Sequence, residues 1–299
     1  MTKRSPVFKN SVKPLNINRL DGRMVRLINT SSRNEILFVG DISAKLEYWF
    51  GLMRALSDFG SVTSPDLPGI GGMTSFYKIG RKPTIDNFAD YLASFIKLRY
   101  KKRRIIIVGV GFGFVVINRM LANYPDIAKK VNLVVSLGGY TDNSDFSSKW
   151  GTFMTFKFVG KLYSNFFTSP ILRALVYNKG FLKMHYFHRL RSTKAVAAKV
   201  LLKNEVERWQ SGDLRTFGAI MSQLTSFSNC SKPIDVTAYH LFLNDRSIVR
   251  NRVEQHLRVV FDQIIIARTS KRNTYVLKQD KRAAAYFLPT DLKQLLNSF

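Results

Sequence analysis

Residues 105–113 read Ile-Ile-Ile-Val-Gly-Val-Gly-Phe-Gly, a short β-branched run followed by glycines at 109, 111 and 113 and then a helix-like stretch. A strand that turns sharply into a helix lifts the side chain at the turn above the sheet edge, where a nucleophile can attack a carbonyl. Here the turn position is Gly111, which has no attacking atom. Other reactive side chains are sparse: four histidines and one cysteine in 299 residues. His185 and His188 have the i, i+3 spacing of a metal pair, but no carboxylate lies near them and Lys183, Arg189 and Arg191 surround them. No metal site is expected there. His240 falls in an apolar run and reads as a satisfied core histidine; Ser43, Ser75 and Ser136 read as turn or core hydroxyls. Cys230 stands alone, so it excludes an intramolecular disulfide and reads as an inert thiol. Gly71-Gly72 is not followed by the Lys-Ser/Thr of a phosphate-binding loop. The glycines at 109–113 are off by one from a dinucleotide fingerprint and sit on a late strand. No cofactor is implied.

The elements that would hold these residues alternate. Ile36–Val39 reads as a buried strand ending in Gly40-Asp41. Leu46, Trp49, Phe50, Met53 and Leu56 recur at helical spacing, with Gly60 expected to close that helix. Ser61–Pro65 is a short strand feeding a Gly/Pro-rich loop, and Thr84 is placed to cap a helix reaching Tyr100. The run 97–104 has six basic residues in eight, at a helix C-terminus where cations suit the macrodipole. A strand at 105–108, a helix at 114–124 and a strand at 131–137 follow. Before all of these, residues 1–20 read as an irregular lead-in with Pro6 and Pro14, and strand pairing is expected around Met24–Asn29. Strands alternating with helices imply a doubly wound, mostly parallel α/β sheet. From about 143 to 229 strand patterns give way to aromatic and basic residues at helical spacing, which reads as a helical cap inserted between core segments 1–142 and 230–299. A strand over Asp235–Leu243, a helix over Val253–Phe261, a strand over Gln263–Ala267 and a terminal helix complete the pattern.

Charge is extreme, with 47 Lys and Arg against 20 Asp and Glu, a net of +27. It is spread out: 22 basic against 10 acidic residues in 1–142, 13 against 4 in 143–229, and 12 against 6 in 230–299. A dedicated nucleic-acid module concentrates charge on one element, so a generic basic surface is the expectation. The N-terminus lacks the apolar stretch of a secretory signal, and apolar runs of about eight residues are too short to span a bilayer. These features point to a cytoplasmic protein.

Five features in order resemble the α/β-hydrolase superfamily, over residues 35–142 and 230–299. Gly40-Asp41 stands where that family has a His-Gly oxyanion turn, with Trp49 after it. Pro65-Asp66-Leu67-Pro68-Gly69-Ile70-Gly71-Gly72 is similar to its Gly-rich loop. Gly109-Val110-Gly111-Phe112-Gly113 matches the nucleophile elbow, Tyr124-Pro125-Asp126 the end of the helix behind it, and Asn244-Asp245-Arg246-Ser247-Ile248-Val249 the turn that carries the triad acid. The resemblance implies a capped hydrolase fold, with Asp245 at the acid position and backbone N–H groups of Gly40, Asp41 and Phe112 at the oxyanion position. The nucleophile is replaced by Gly111, and residues 267–273, where the triad histidine belongs, contain none; His256 lies upstream of the last strand.

Loss of nucleophile and base together removes on the order of 10⁶ in rate. The expectation is therefore a hydrolase-like protein without triad hydrolysis that binds an apolar small molecule or a partner beneath its cap. Two alternatives stand beside it: an esterase-, lipase- or lyase-type enzyme with a non-standard catalytic group, and a basic protein in weak contact with RNA or an anionic membrane. Oligomeric state is left open.

Overall fold

The computed structural model describes residues 6–42, 44–101, 103–146, 150–176, 178, 180, 184, 212–243, 252–269 and 280–299. Among them eight strands form one sheet, in the order β1-β2-β4-β3-β5-β6-β7-β8. These are β1 Val12–Ile17, β2 Leu20–Leu27, β3 Glu35–Val39, β4 Ser61–Pro65, β5 Ile105–Val110, β6 Val131–Leu137, β7 Ala238–Phe242 and β8 Ile264–Arg268. β1 and β2 pair antiparallel, as do β2 and β4; the other pairings are parallel. β3 and β5 are buried along their whole length, as strands covered on both faces must be, and their near-continuous apolar sequence follows from that.

The helices are α1 Pro6–Ser11, α2 Leu46–Leu56, α3 Ile85–Arg99, α4 Phe112–Asn123, α5 Pro125–Ala128, α6 Trp150–Ser164, α7 Thr168–Val176, α8 Leu214–Leu224, α9 Arg252–Val260, α10 Lys281–Phe287 and α11 Thr290–Asn297. On one face of the sheet α3, α4 and α9 bury Phe88, Phe112, Val116 and Leu257; on the other α2, α10 and α11 bury Trp49, Met53, Phe287 and Leu292.

Two local expectations are corrected, and one helix was not foreseen. The lead-in is ordered: Pro6 opens α1, where a missing N–H costs nothing, and Pro14 lies on edge strand β1, whose outer N–H groups need no ladder partner. Asn18 and Arg19, both at positive φ (51° and 65°), make the tight turn between β1 and β2. α2 ends at Leu56 with Ser57 as an αR cap, and Gly60 serves close approach instead: a Cβ there would lie 2.6 Å from the Asn34 carbonyl oxygen. α10 was hidden in a basic, Ala-rich stretch; Asp280 caps it.

The cap helices are built on glycine. A Cβ on Gly160 of α6 would lie 2.7 Å from the carbonyl oxygen of Gly218 on α8, so only two glycines let these backbones meet. α8 is tied to the core loop through its N-cap: Ser75 Oγ donates to Asp213 Oδ2 at 2.9 Å, and Asp213 N donates to the Gly69 carbonyl at 2.8 Å.

Candidate functional site at the strand ends

β5 runs apolar to Val110 and then meets Gly111, whose backbone (φ 52°, ψ −118°) lies where a side chain is strained. The turn is tight because Gly113 at the start of α4 sits against β3: a Cβ there would lie 2.6 Å from the Gly40 carbonyl oxygen. The elbow geometry is thus present, and its central residue has no side chain. The space is taken by a carboxylate. Asp41, from the turn after β3, accepts a hydrogen bond from Phe112 N at 3.0 Å, and its Oδ1 lies 2.9 Å from where a Cβ on Gly111 would stand. The Phe112 amide, which the sequence offered as an oxyanion donor, already serves an anion. Tyr140, just past β6, is buried nearby; burial and then the Asp41 charge push its hydroxyl well above the usual tyrosine range.

A second pair lies at the end of the neighbouring strand. Thr141–Phe146 forms a turn in which Asp142 accepts from Ser144 N and Asp145 reaches back to the turn's own backbone. Asp145 Oδ2 accepts from Thr141 N at 2.8 Å, Asp142 N at 3.0 Å and Thr141 Oγ1 at 3.3 Å, while Oδ1 lies 2.6 Å from His256 Nδ1 on α9. The Asp145 side chain is 0 % exposed and that of His256 is 26 %. With a carboxylate fixed at Nδ1, the neutral ring carries its proton there and Nε2 becomes an acceptor, the arrangement of an oriented base. Sequence reading missed this pair because its members are 111 residues apart; the available signal was the Asp-x-x-Asp cap at 142–145. Burial pushes Asp142 upward, but hydrogen bonds from Ser228 and Ser144 bring it below the usual carboxylate range. Cys230 is close by, its Sγ 3.9 Å from the Thr141 carbonyl oxygen. Burial, with Asp142 and Asp145 adding to it, raises the thiol pKa and keeps thiolate scarce.

His240 departs from the satisfied core histidine its sequence suggested. Its Nδ1 lies 2.9 Å from Ser136 Oγ across the β6–β7 pair, but Nε2 is buried with no hydrogen-bond partner among the described residues. Burial first and Arg268 second lower its pKa to about 3, so the ring is neutral. Ser75 is a turn hydroxyl bonded to Asp213 and Thr216. Ser43, His185, His188 and Asp245 lie outside the described residues. Among the described residues no group of three or more His, Cys, Asp or Glu is placed to hold a metal, and no helix is long and apolar enough to cross a membrane.

No family model and no curated protein matches the sequence. Solved structures match by shape. A bacterial membrane phospholipase A superposes with a TM-score of 0.66 at 12% identity, over 97% of this chain and 87% of its own. The enol-lactonase of Burkholderia xenovorans gives 0.66 at 13% identity over 96% and 100%, and a variant of potato epoxide hydrolase 0.64 at 13% over 96% and 99%. This chain has the α/β-hydrolase fold. At such identities the likeness shows the fold and leaves chemistry to the residues. Within the α/β-hydrolase frame, Gly111 stands at the elbow, Asp41 fills the space above it, and the oriented Asp145–His256 pair comes from elements other than those the resemblance implied.

Proposed function

We propose that this α/β-hydrolase-fold protein has lost Ser-His-Asp hydrolysis and binds an apolar ligand or partner beneath its cap. The observation that carries this reading is the Asp41 carboxylate on the Phe112 amide, over a glycine. An acyl-transfer intermediate would place a second negative charge against that carboxylate, and two like charges 4 Å apart repel by about 4 kcal/mol at an effective dielectric near 20. A ligand without developing charge meets no such penalty. Aromatic rings lead from this point toward the cap: Tyr140 lies 4.6 Å from Phe146 and 5.8 Å from Phe227, and Phe146 lies 6.1 Å from Phe153 on α6. These rings pack against one another, and their apolar faces suit contact with hydrocarbon or a ring.

The deciding experiment pairs turnover of acyl esters of increasing chain length with thermal stabilisation by uncharged primary alcohols of the same chain lengths. Stabilisation without turnover is the expected result. Turnover that survives purification would overturn the reading.

A second reading, an enzyme with a non-standard catalytic group, is favoured by the Asp145–His256 pair. A histidine held at Nδ1 by a buried carboxylate can serve as a general base toward a bound water. If that reading is right, ester or lactone turnover is measurable and His256→Ala abolishes it, while Asp245→Ala and Ser43→Ala leave it in place.

A further inference from the structure

We infer that the outer face of the cap hairpin, α6 and α7, is a docking surface for an anionic lipid bilayer. This reaches beyond the proposed pocket and does not depend on whether that pocket hydrolyses anything. Soluble surfaces expose single large apolar residues commonly, but seldom a cluster of them. Here six fall within 18 residues: Met154 (44 % exposed), Phe156 (44 %), Phe158 (64 %), Phe166 (67 %), Phe167 (79 %) and Ile171 (66 %). Their placement follows from the helix packing. Gly160 turns inward against Gly218 of α8, so the stripe Met154, Phe158, Lys161, at i, i+4, i+7, is turned away from it.

The turn between the two helices is pinned rather than loose. Asn165 Oδ1 accepts from Phe167 N at 2.8 Å, and the Arg215 guanidinium from α8 lies 5.3 Å from the Phe166 ring centroid and 4.0 Å from that of Tyr77. Two phenyl rings are therefore held outward on a fixed turn, so little side-chain and backbone freedom remains to be lost on docking.

The charge identifies the occupant. α6 and α7 carry Lys157, Lys161 and Arg173 and no Asp or Glu. A basic face carrying Phe, Met and Ile fits the headgroup–acyl boundary of a membrane with anionic lipid, where the cations meet phosphate and the apolar side chains enter the acyl region. RNA would use the same cations and could stack on the phenyl rings, but Met154 and Ile171 offer it no π-face, whereas hydrocarbon accepts them as readily as it does Phe.

The test is vesicle flotation of the full chain with phosphatidylglycerol and with phosphatidylcholine vesicles, alongside Phe158→Ser/Phe167→Ser and Lys157→Glu/Lys161→Glu double variants. All four positions are on the cap surface, and circular dichroism checks that each variant folds. The expected result is binding to phosphatidylglycerol, much weaker binding to phosphatidylcholine, and a loss of about tenfold or more in partitioning for either pair. Absence of binding to phosphatidylglycerol overturns the proposal. So does binding that both variants leave intact, or a phenylalanine pair without effect while RNA competes the vesicles away; the last outcome would mark a general polyanion surface.

Discussion

Gly111 and Asp41 form one unit at the elbow. Gly111 adopts a conformation that side chains resist, and any Cβ added to it meets Asp41 Oδ1 at 2.9 Å. Gly111→Ser is therefore expected to cost roughly 1–3 kcal/mol of stability and to bring no ester turnover, because the new hydroxyl meets a carboxylate engaged by the Phe112 amide and not a histidine. Chemical denaturation and an ester assay check both parts. His240 makes a pH prediction. Its folded pKa is lowered to about 3 from 6.5, so between those values the unfolded chain binds the extra proton. Stability is present in full above 6.5 and falls as pH drops toward 3. His240→Leu is expected to flatten that limb of the stability–pH curve, although it leaves Ser136 Oγ without its partner and lowers stability near neutrality by about 1–2 kcal/mol. Denaturant midpoints measured at several pH values separate the two effects.

At the scale of elements, one ion cluster clamps β2, α2 and the loop after β4. Arg23 is bidentate to Glu47, at 2.7 and 2.8 Å, and its Nε donates to Asp66 Oδ2 at 2.7 Å. Burial pushes Asp66 up to about 6 against the pull of Arg23, while in Glu47 the bonds from Arg23 outweigh burial and hold it below its usual range. Arg23→Ala would leave buried Asp66 and half-buried Glu47 without their shared cation, and a loss of about 3 kcal/mol is expected in a denaturation experiment. The cap tests a different principle. Gly218→Leu puts a side chain where Tyr163 Cβ and the Gly160 carbonyl already stand, so α6 and α8 must separate. Faster hydrogen exchange confined to α6 and α8, with the sheet unchanged, is the expected outcome.

The whole molecule carries +27 on 299 residues, and that charge opposes its own compactness. Screening shortens the reach of repulsion to about 10 Å at 0.1 M salt, so the melting temperature is expected to rise by a few degrees between low and moderate ionic strength. A calorimetric salt series would show it.

The α/β alternation was legible because β3, β5 and β6 are near-continuous apolar runs, and Val131–Leu137 and the more polar Ser61–Pro65 occur with the bounds their sequence predicts. The helix over Ile85–Arg99, capped by Thr84, was equally plain, since capping and periodicity are local signals. Gly111 at the elbow was readable for the same reason: a tight strand-to-helix turn leaves its glycines at fixed spacing. The edge hairpin was obscured by Pro14, because only the position of β1 at the sheet margin makes a proline harmless there. Tertiary structure alone brought Asp41 onto the Phe112 amide across 71 residues, Asp145 onto His256 across 111, and Ser136 onto His240 across 104. Those contacts depend on which strands are neighbours and in what register, and strand order is decided by long-range packing that local sequence does not encode.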